Sequence, residues 1–249
     1  MAFLNCEVFS KTLNMATALR VILPDEGELG AADTVYLLHG LSDNSSGWTR
    51  YTAVEQFARE RGLAVVMPEV QRSFYADMVA GLDYFSYVAV ELPAMCERMF
   101  GLPDERAKRY VMGLSMGGYG ALKCVLTYPE RYAGAGSFSG VVDIRRPVYS
   151  VNTPERARER GAIFGADGPE GTKNDLYRLA QDVFDEKKNF PGIYLSCGEQ
   201  DGLYEDNVKF DAFLTSLGAE HRFDHRAGAH SWRFWNDSVE DCFGYFFGE

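Results

Sequence analysis

The chain has 249 residues and a formal net charge of −11, with 46 % hydrophobic and 24 % charged residues. That length and composition suit a globular protein that buries a sizeable core without disulfide staples. The acidic balance argues against a nucleic-acid or anionic-membrane partner, since both reward excess Lys and Arg.

The N-terminal "MAFLNCEVFSK" has no basic run followed by a long apolar one, so no secretory leader is expected. "ATALRVILP" (16–24) alternates enough to predict an antiparallel edge strand. "TVYLLHG" (34–40) is an apolar run that stops at a glycine. "VEQFARERG" (54–62) has helical spacing and a glycine stop, and "LAVVMP" (63–68) reads as a buried strand ended by proline. "YVAVELPAMCERMF" (87–100) reads as a helix in which Pro93 makes a kink or sits in the first turn. "RYVMGLS" (109–115) is a strand and "MGGYGALKCVLTYP" (116–129) a helix. "AGAGSFSG" (133–140) and "GIYLSCGEQD" (192–201) are strands. "NVKFDAFLTSLG" (207–218) is a helix with a glycine cap, "HRFDHRAG" (221–228) a last strand, and "WNDSVEDCFGYFF" (235–247) a closing helix.

Strands alternating with helices predict an α/β fold with a mostly parallel sheet covered on both faces. No repeat, linker or low-complexity tract divides the chain, so residues 1–249 read as a single domain. The span 143–190, rich in Arg, Glu, Asp and Gly, reads as a small cap-like insertion over one end of the sheet. Five widely spaced cysteines with no C-x-x-C fit free thiols in a reducing compartment, and no apolar run approaches a membrane span. A cytoplasmic protein with no membrane partner is expected.

The turn "GLSMG" (113–117) carries the chemistry. Glycines weaken a helix, and a buried strand has no use for a serine, so this turn serves something other than local stability. G-x-S-x-G alone is a weak signal. Between an apolar strand and a helix it is the nucleophile elbow, with Ser115 projecting into a cleft beyond the strand end and the Met116 amide free for an oxyanion. The bland alternative is a tight turn whose serine caps the helix. "GSFSG" (136–140) lacks the central serine and reads as the end of the next strand.

A serine nucleophile needs a base, and the base needs a carboxylate; where the elbow is of the α/β-hydrolase kind, the chain order is Ser, then Asp or Glu, then His. His221 and His225 alternate within a predicted strand and read as ordinary strand residues. His230 follows "RAGA" in a loop beyond the strand end and is the favoured base. Asp201, just past another strand end, is the favoured acid over Glu199, Glu205 and Asp206. The loop "HGLSDNSSGW" (39–48) is where a second oxyanion donor belongs, with Leu41 its amide and His39 a structural residue beneath it.

Together, "LLHGLSDNSSGW", "GLDYFSYVAVELP", "GLSMGGYGALK" and "GAHSWRFW" resemble the putative-esterase branch of the α/β-hydrolases. That branch holds esterase D (S-formylglutathione hydrolase), tributyrin esterase, acetyl-xylan and feruloyl esterases and the mycolyltransferase antigens. The resemblance runs over roughly residues 15 to 247 and is most similar to the tributyrin-esterase type. It implies an α/β-hydrolase fold with Ser115 as nucleophile, Asp201 as triad acid and His230 as base. It also implies Leu41 and Met116 as oxyanion amides, with Trp232 beside the acyl pocket or bracing the His loop. Leu114 stands where many relatives carry His, a change of packing rather than chemistry. The implied activity is hydrolysis of short-chain carboxylic esters through an acyl-enzyme, with no cofactor and no metal. The alternatives are an S-formylglutathione thioesterase and a non-catalytic binding protein on the same fold. The expected partner is a small-molecule ester, and a homo-oligomer is compatible with the sequence.

Overall fold

The computed structural model describes residues 1–25, 27–145 and 153–248. Alternate residues of Ala2–Ser10 (β1) turn inward, Leu4, Cys6, Val8 and Ser10, while Phe3 and Phe9 stay exposed. This strand forms a hairpin with Met15–Leu23 (β2), and β2 then pairs antiparallel with Ala64–Pro68 (β4). The expected edge strand is therefore second in the sheet. The outer strand was hidden because Phe3 and Phe9, on its solvent face, blur the alternation that would mark it.

Thr34–Leu38 (β3) lies beside β4 and is buried at every position. Arg109–Leu114 (β5), Gly134–Phe138 (β6), Gly192–Gly198 (β7) and His221–Arg226 (β8) continue the sheet in parallel. The order across the sheet is β1-β2-β4-β3-β5-β6-β7-β8. From β4 to β8 every pairing is parallel, so these strands end along one rim.

Strands buried on both sides need a layer above and below. Period-2 alternation divides each strand between them. Tyr36 and Leu38 of β3, Val66 of β4 and Val111 of β5 face one core. Val35, Leu37, Val65, Met67, Met112 and Leu114 face the other. The first core is closed by helices Leu92–Phe100 (α4), Met116–Thr127 (α5), Leu176–Asp185 (α7) and Tyr204–Ser216 (α8). The second is closed by Gly47–Tyr51 (α1), Val54–Glu60 (α2) and Trp232–Phe247 (α9).

Tyr84–Ser86 (α3) runs through a widened π-turn, Tyr87–Glu91, into α4. Pro93 follows the π-turn directly inside this continuous helical run, and the Ala89 carbonyl four residues before it accepts the Tyr132 hydroxyl (3.3 Å). The closing helix α9 begins at Trp232 rather than at residue 235, which brings "WRF" into its first turn. Within the span 143–190, residues 146–152 lie outside the described ones. Pro154–Phe164 (α6) follows them and is tied by two backbone bonds to the strand-to-helix loop after β4, Val79 N–H to Ile163 O (3.2 Å) and Ala80 N–H to Ala162 O (2.9 Å). α7 turns Leu176, Leu179, Ala180 and Val183 into the first core.

Candidate active site

Ser115 joins β5 to α5 at φ 53°, ψ −114°, a conformation that costs a non-glycine residue about 1–3 kcal/mol. The surroundings hold it there. The Ser115 amide donates to Phe138 O (2.8 Å), and its carbonyl accepts from the Val141 and Tyr119 amides (3.2 and 3.1 Å). The flanking glycines follow from packing. A Cβ at Gly113 would lie 2.6 Å from the Gly117 carbonyl group and 2.8 Å from Leu38 O. One at Gly117 would run into the Leu38 and His39 carbonyls. Strand β3, strand β5 and helix α5 thus approach too closely for side chains at either position.

Asp201 and His230 reach the same rim from the ends of β7 and β8. His230 Nε2 lies 3.1 Å from Ser115 Oγ, and His230 Nδ1 lies 2.8 Å from Asp201 Oδ2. A carboxylate only accepts, so Nδ1 carries the ring proton and Nε2 is left to accept from the Ser115 hydroxyl. Asp201 is 7 % exposed and takes the Leu203 amide on Oδ1 (3.0 Å). Burial alone would raise its pKa. The His230 hydrogen bond and charge, the Leu203 amide and the Ser139 hydroxyl outweigh burial and hold it below the ordinary value. The other histidines are engaged elsewhere, His221 with Asp211 (2.9 Å) and His225 with Glu199 (3.2 Å). Glu199 is engaged by His225, and Asp206 lines the cleft.

The β3–α1 loop carries Leu41. His39 is buried at its base, and the Val70 amide donates to His39 Nε2 (3.1 Å). Nε2 therefore accepts and Nδ1 carries the proton, which it donates to Gly40 O at 2.7 Å. The Asp43 amide donates to that same carbonyl (3.2 Å). In a trans peptide the N–H points opposite to the C=O, so pinning the Gly40 carbonyl turns the Leu41 amide the other way. Leu41 and Met116 both line the cleft that holds Ser115 and His230. The Met116 amide opens α5 and has no acceptor within the helix. Leu114 packs against Gly40, where an added Cβ would meet its Cδ1 at 2.6 Å.

The cleft has a volume of about 1200 Å³. Trp232 lines it and stands edge-on to Trp48 (5.4 Å) and Trp235 (5.3 Å), with Tyr51 at 5.0 Å. Asp43 also faces it, and burial raises its carboxyl above the ordinary range. Two neighbours of the His–Asp pair carried no sequence signal strong enough to find them. Trp235 stands edge-on to His230, centroids 4.8 Å apart, and Ser139 sits just past β6 at φ 47°. Ser139 belongs to the "GSFSG" that reads as a mere strand end. The signal it did carry is a serine at a carboxyl end of a central parallel strand.

The pattern of the putative-esterase family matches residues 10–245. The chain belongs to the putative-esterase family. It is thus a carboxylic ester hydrolase with the α/β-hydrolase fold. This esterase is 29 % identical to an acetyl esterase of Caldicellulosiruptor saccharolyticus over 98 % of its own length and 97 % of that protein's. It is 30 % identical to the S-formylglutathione hydrolase of Bos taurus over 75 % of this chain and 70 % of that one. Among solved structures it resembles the fluorophosphonate-binding serine hydrolase F (FphF) of Staphylococcus aureus. The TM-score is 0.92 and the identity 31 %, over 100 % of this chain and 99 % of that one. No helix among the described residues is long and apolar enough to cross a membrane.

Proposed function

We propose that the esterase cleaves short-chain acyl esters by nucleophilic catalysis at Ser115. The observation that carries this reading is the continuous chain of contacts from Ser115 Oγ through His230 to Asp201, 3.1 and 2.8 Å long, at the mouth of one cleft. His230 Nε2 takes the Ser115 proton as the hydroxyl attacks the ester carbonyl. Asp201 keeps the ring in the accepting tautomer and balances the imidazolium. The Leu41 and Met116 amides receive the oxyanion, each contributing about 3 kcal/mol in comparable enzymes. His230 then protonates the departing alcohol, and water clears the acyl-enzyme by the same route. Trp232 walls the cleft beside this chemistry. No step calls for a metal or cofactor.

The full-length likeness to an acetyl esterase supports a small acyl group. The bovine relative and the structural likeness to S-formylglutathione hydrolase FrmB of Staphylococcus aureus (TM-score 0.89, 31 % identity) support a second reading, hydrolysis of S-formylglutathione. All five cysteines are unpaired, in keeping with a reducing, cytoplasmic setting. The test is Ser115→Ala assayed on p-nitrophenyl acetate and butyrate, with folding followed by circular dichroism. Turnover is expected to vanish while the protein stays folded, and retained turnover would remove the nucleophile assignment. Comparing these esters with S-formylglutathione in wild type separates the two substrate readings.

A further inference from the structure

The His–Asp pair has a second support that the proposed mechanism does not itself use. Trp235, in the first turn of α9, touches its imidazole half directly and a serine beside its carboxylate half. Its ring stands at 89° to the His230 imidazole with centroids 4.8 Å apart, an edge-to-face contact that fixes the plane of the imidazole. Its indole Nε1–H donates to Ser139 Oγ at 3.0 Å. An indole nitrogen can only donate, so Ser139 Oγ is the acceptor there, and its single hydroxyl proton is left for another partner. Two groups beside it can take that proton, the Asp201 carboxylate and the Cys197 thiol, and the charged carboxylate is the stronger acceptor.

Ser139 is held for this task at some expense. It is fully buried and has φ 47°, a left-handed conformation that glycine or asparagine would adopt more easily. Its amide donates to Ser196 O at 2.7 Å, which locks it to the end of β7, a few residues before Asp201. A serine in so unfavourable a conformation, with its hydroxyl between an obligate donor and a buried carboxylate, is better explained by the hydroxyl than by the backbone.

We propose that Trp235 and Ser139 are positioning residues that hold Asp201 and His230 in register for proton transfer. Trp235 acts on the imidazole directly and on the carboxylate through Ser139. This rests on the Ser115–His230–Asp201 reading above. Without the Ser139 hydroxyl, Asp201 loses one of its donors and becomes a stronger proton acceptor. It then stabilises the imidazolium more, and the base stays protonated to higher pH. Among the described residues, the other charged groups facing the cleft around His230 are Asp43 on the β3–α1 loop, Arg72 beyond β4, Asp143 beyond β6, Arg156 on α6 and Asp206 on α8. The substitution leaves all of them in place.

The experiment compares Ser139→Ala with Ser139→Gly. Both remove the hydroxyl, but glycine also relieves the left-handed backbone, so a purely structural role separates them. The expected result is the same in both variants. The kcat on p-nitrophenyl acetate falls about tenfold with KM within about twofold, the loss of one hydrogen bond's worth of alignment. The acidic inflection of kcat/KM moves up by about half a pH unit. Trp235→Phe, which keeps a ring edge and loses the N–H, moves the inflection in the same direction. The proposal is overturned if both Ser139 variants keep the wild-type kcat and inflection, or if Ser139→Gly is normal and only Ser139→Ala is impaired. Ser115→Ala run alongside tells the two readings apart, since turnover surviving there would remove the triad reading itself.

Discussion

Lys123 offers a prediction whose size follows from its surroundings. It lies in α5, eight residues after Ser115, and is 1 % exposed. Its Nζ donates to Tyr75 O (2.9 Å) and Asn174 Oδ1 (2.6 Å) and sits 4.2 Å from the centre of the Phe85 ring. No carboxylate touches it among the described residues. Burial therefore dominates and pulls its pKa from 10.5 to about 7. That fall makes the cationic form about 5 kcal/mol harder to hold in the fold than in the unfolded chain. The sign follows from proton counts. Below pH 7 both states carry the proton and the fold bears the whole burden. Between about 7 and 10.5 the unfolded chain keeps a proton that the fold has released, so stability climbs by about 1.4 kcal/mol per pH unit. Lys123→Met removes this titration and leaves two buried acceptors unpaired, at about 1–3 kcal/mol each. The stability difference, wild type minus variant, is expected to grow by about 2.5 kcal/mol between pH 6.5 and 9. Urea unfolding of both proteins at the two pH values, fitted with a common m-value, reads this out. A difference that stays constant with pH would refute the reasoning, because it would mean that no buried amine titrates near neutrality.

Three further outcomes are expected. Asp201→Asn keeps the shape of the side chain but lets the imidazole take the wrong tautomer, so kcat on p-nitrophenyl acetate drops by about 10⁴-fold. A loss under tenfold would remove Asp201 from the proton path. Gly117→Ala drives a methyl group into the Leu38 and His39 carbonyls, which are backbone and cannot turn aside. The variant should melt at least several degrees lower or fail to accumulate as folded protein, and an unchanged Tm would contradict the close β3–α5 packing. Arg72→Ala breaks a two-pronged pair with Glu159, of which Nη2–Oε2 is 2.9 Å, yet Arg72 is 48 % exposed. Its loss should cost less than about 1 kcal/mol in thermal or urea melts.

The fold was legible where a strand's own pattern sufficed. The runs at 34–38, 64–68 and 109–114 are apolar at most positions, and only a strand covered on both faces buries all of them but Tyr110. β1 escaped because a hairpin at the sheet edge keeps half of its face in water, and Phe3 and Phe9 happen to lie on that half. The residues now found at the rim were legible for a related reason. A parallel sheet delivers the carboxyl ends of its strands to one place, so chemistry-bearing residues just past strand ends, Ser115, Asp201 and His230, could be nominated without coordinates.

Their supports could not be nominated in that way. Ser139, Trp235, His39 and Lys123 work through hydrogen bonds to partners 31 to 96 residues away in sequence, as in Val70 to His39 and Trp235 to Ser139. Each is of a type that is commonly mere packing, and no spacing in the chain announces such a partner. His39 shows what is lost. As one imidazole in a sequence it reads as a buried filler beneath a turn. The Val70 amide on Nε2 fixes which nitrogen bears the proton, and that proton joins the Asp43 amide in pinning Gly40 O, which turns the Leu41 amide the other way. The direction of the Leu41 amide, the proposed oxyanion donor, therefore depends in part on an amide supplied by a different loop, beyond β4. A strand pattern can identify the rim, but the tautomers that orient its groups are decided by contacts across it.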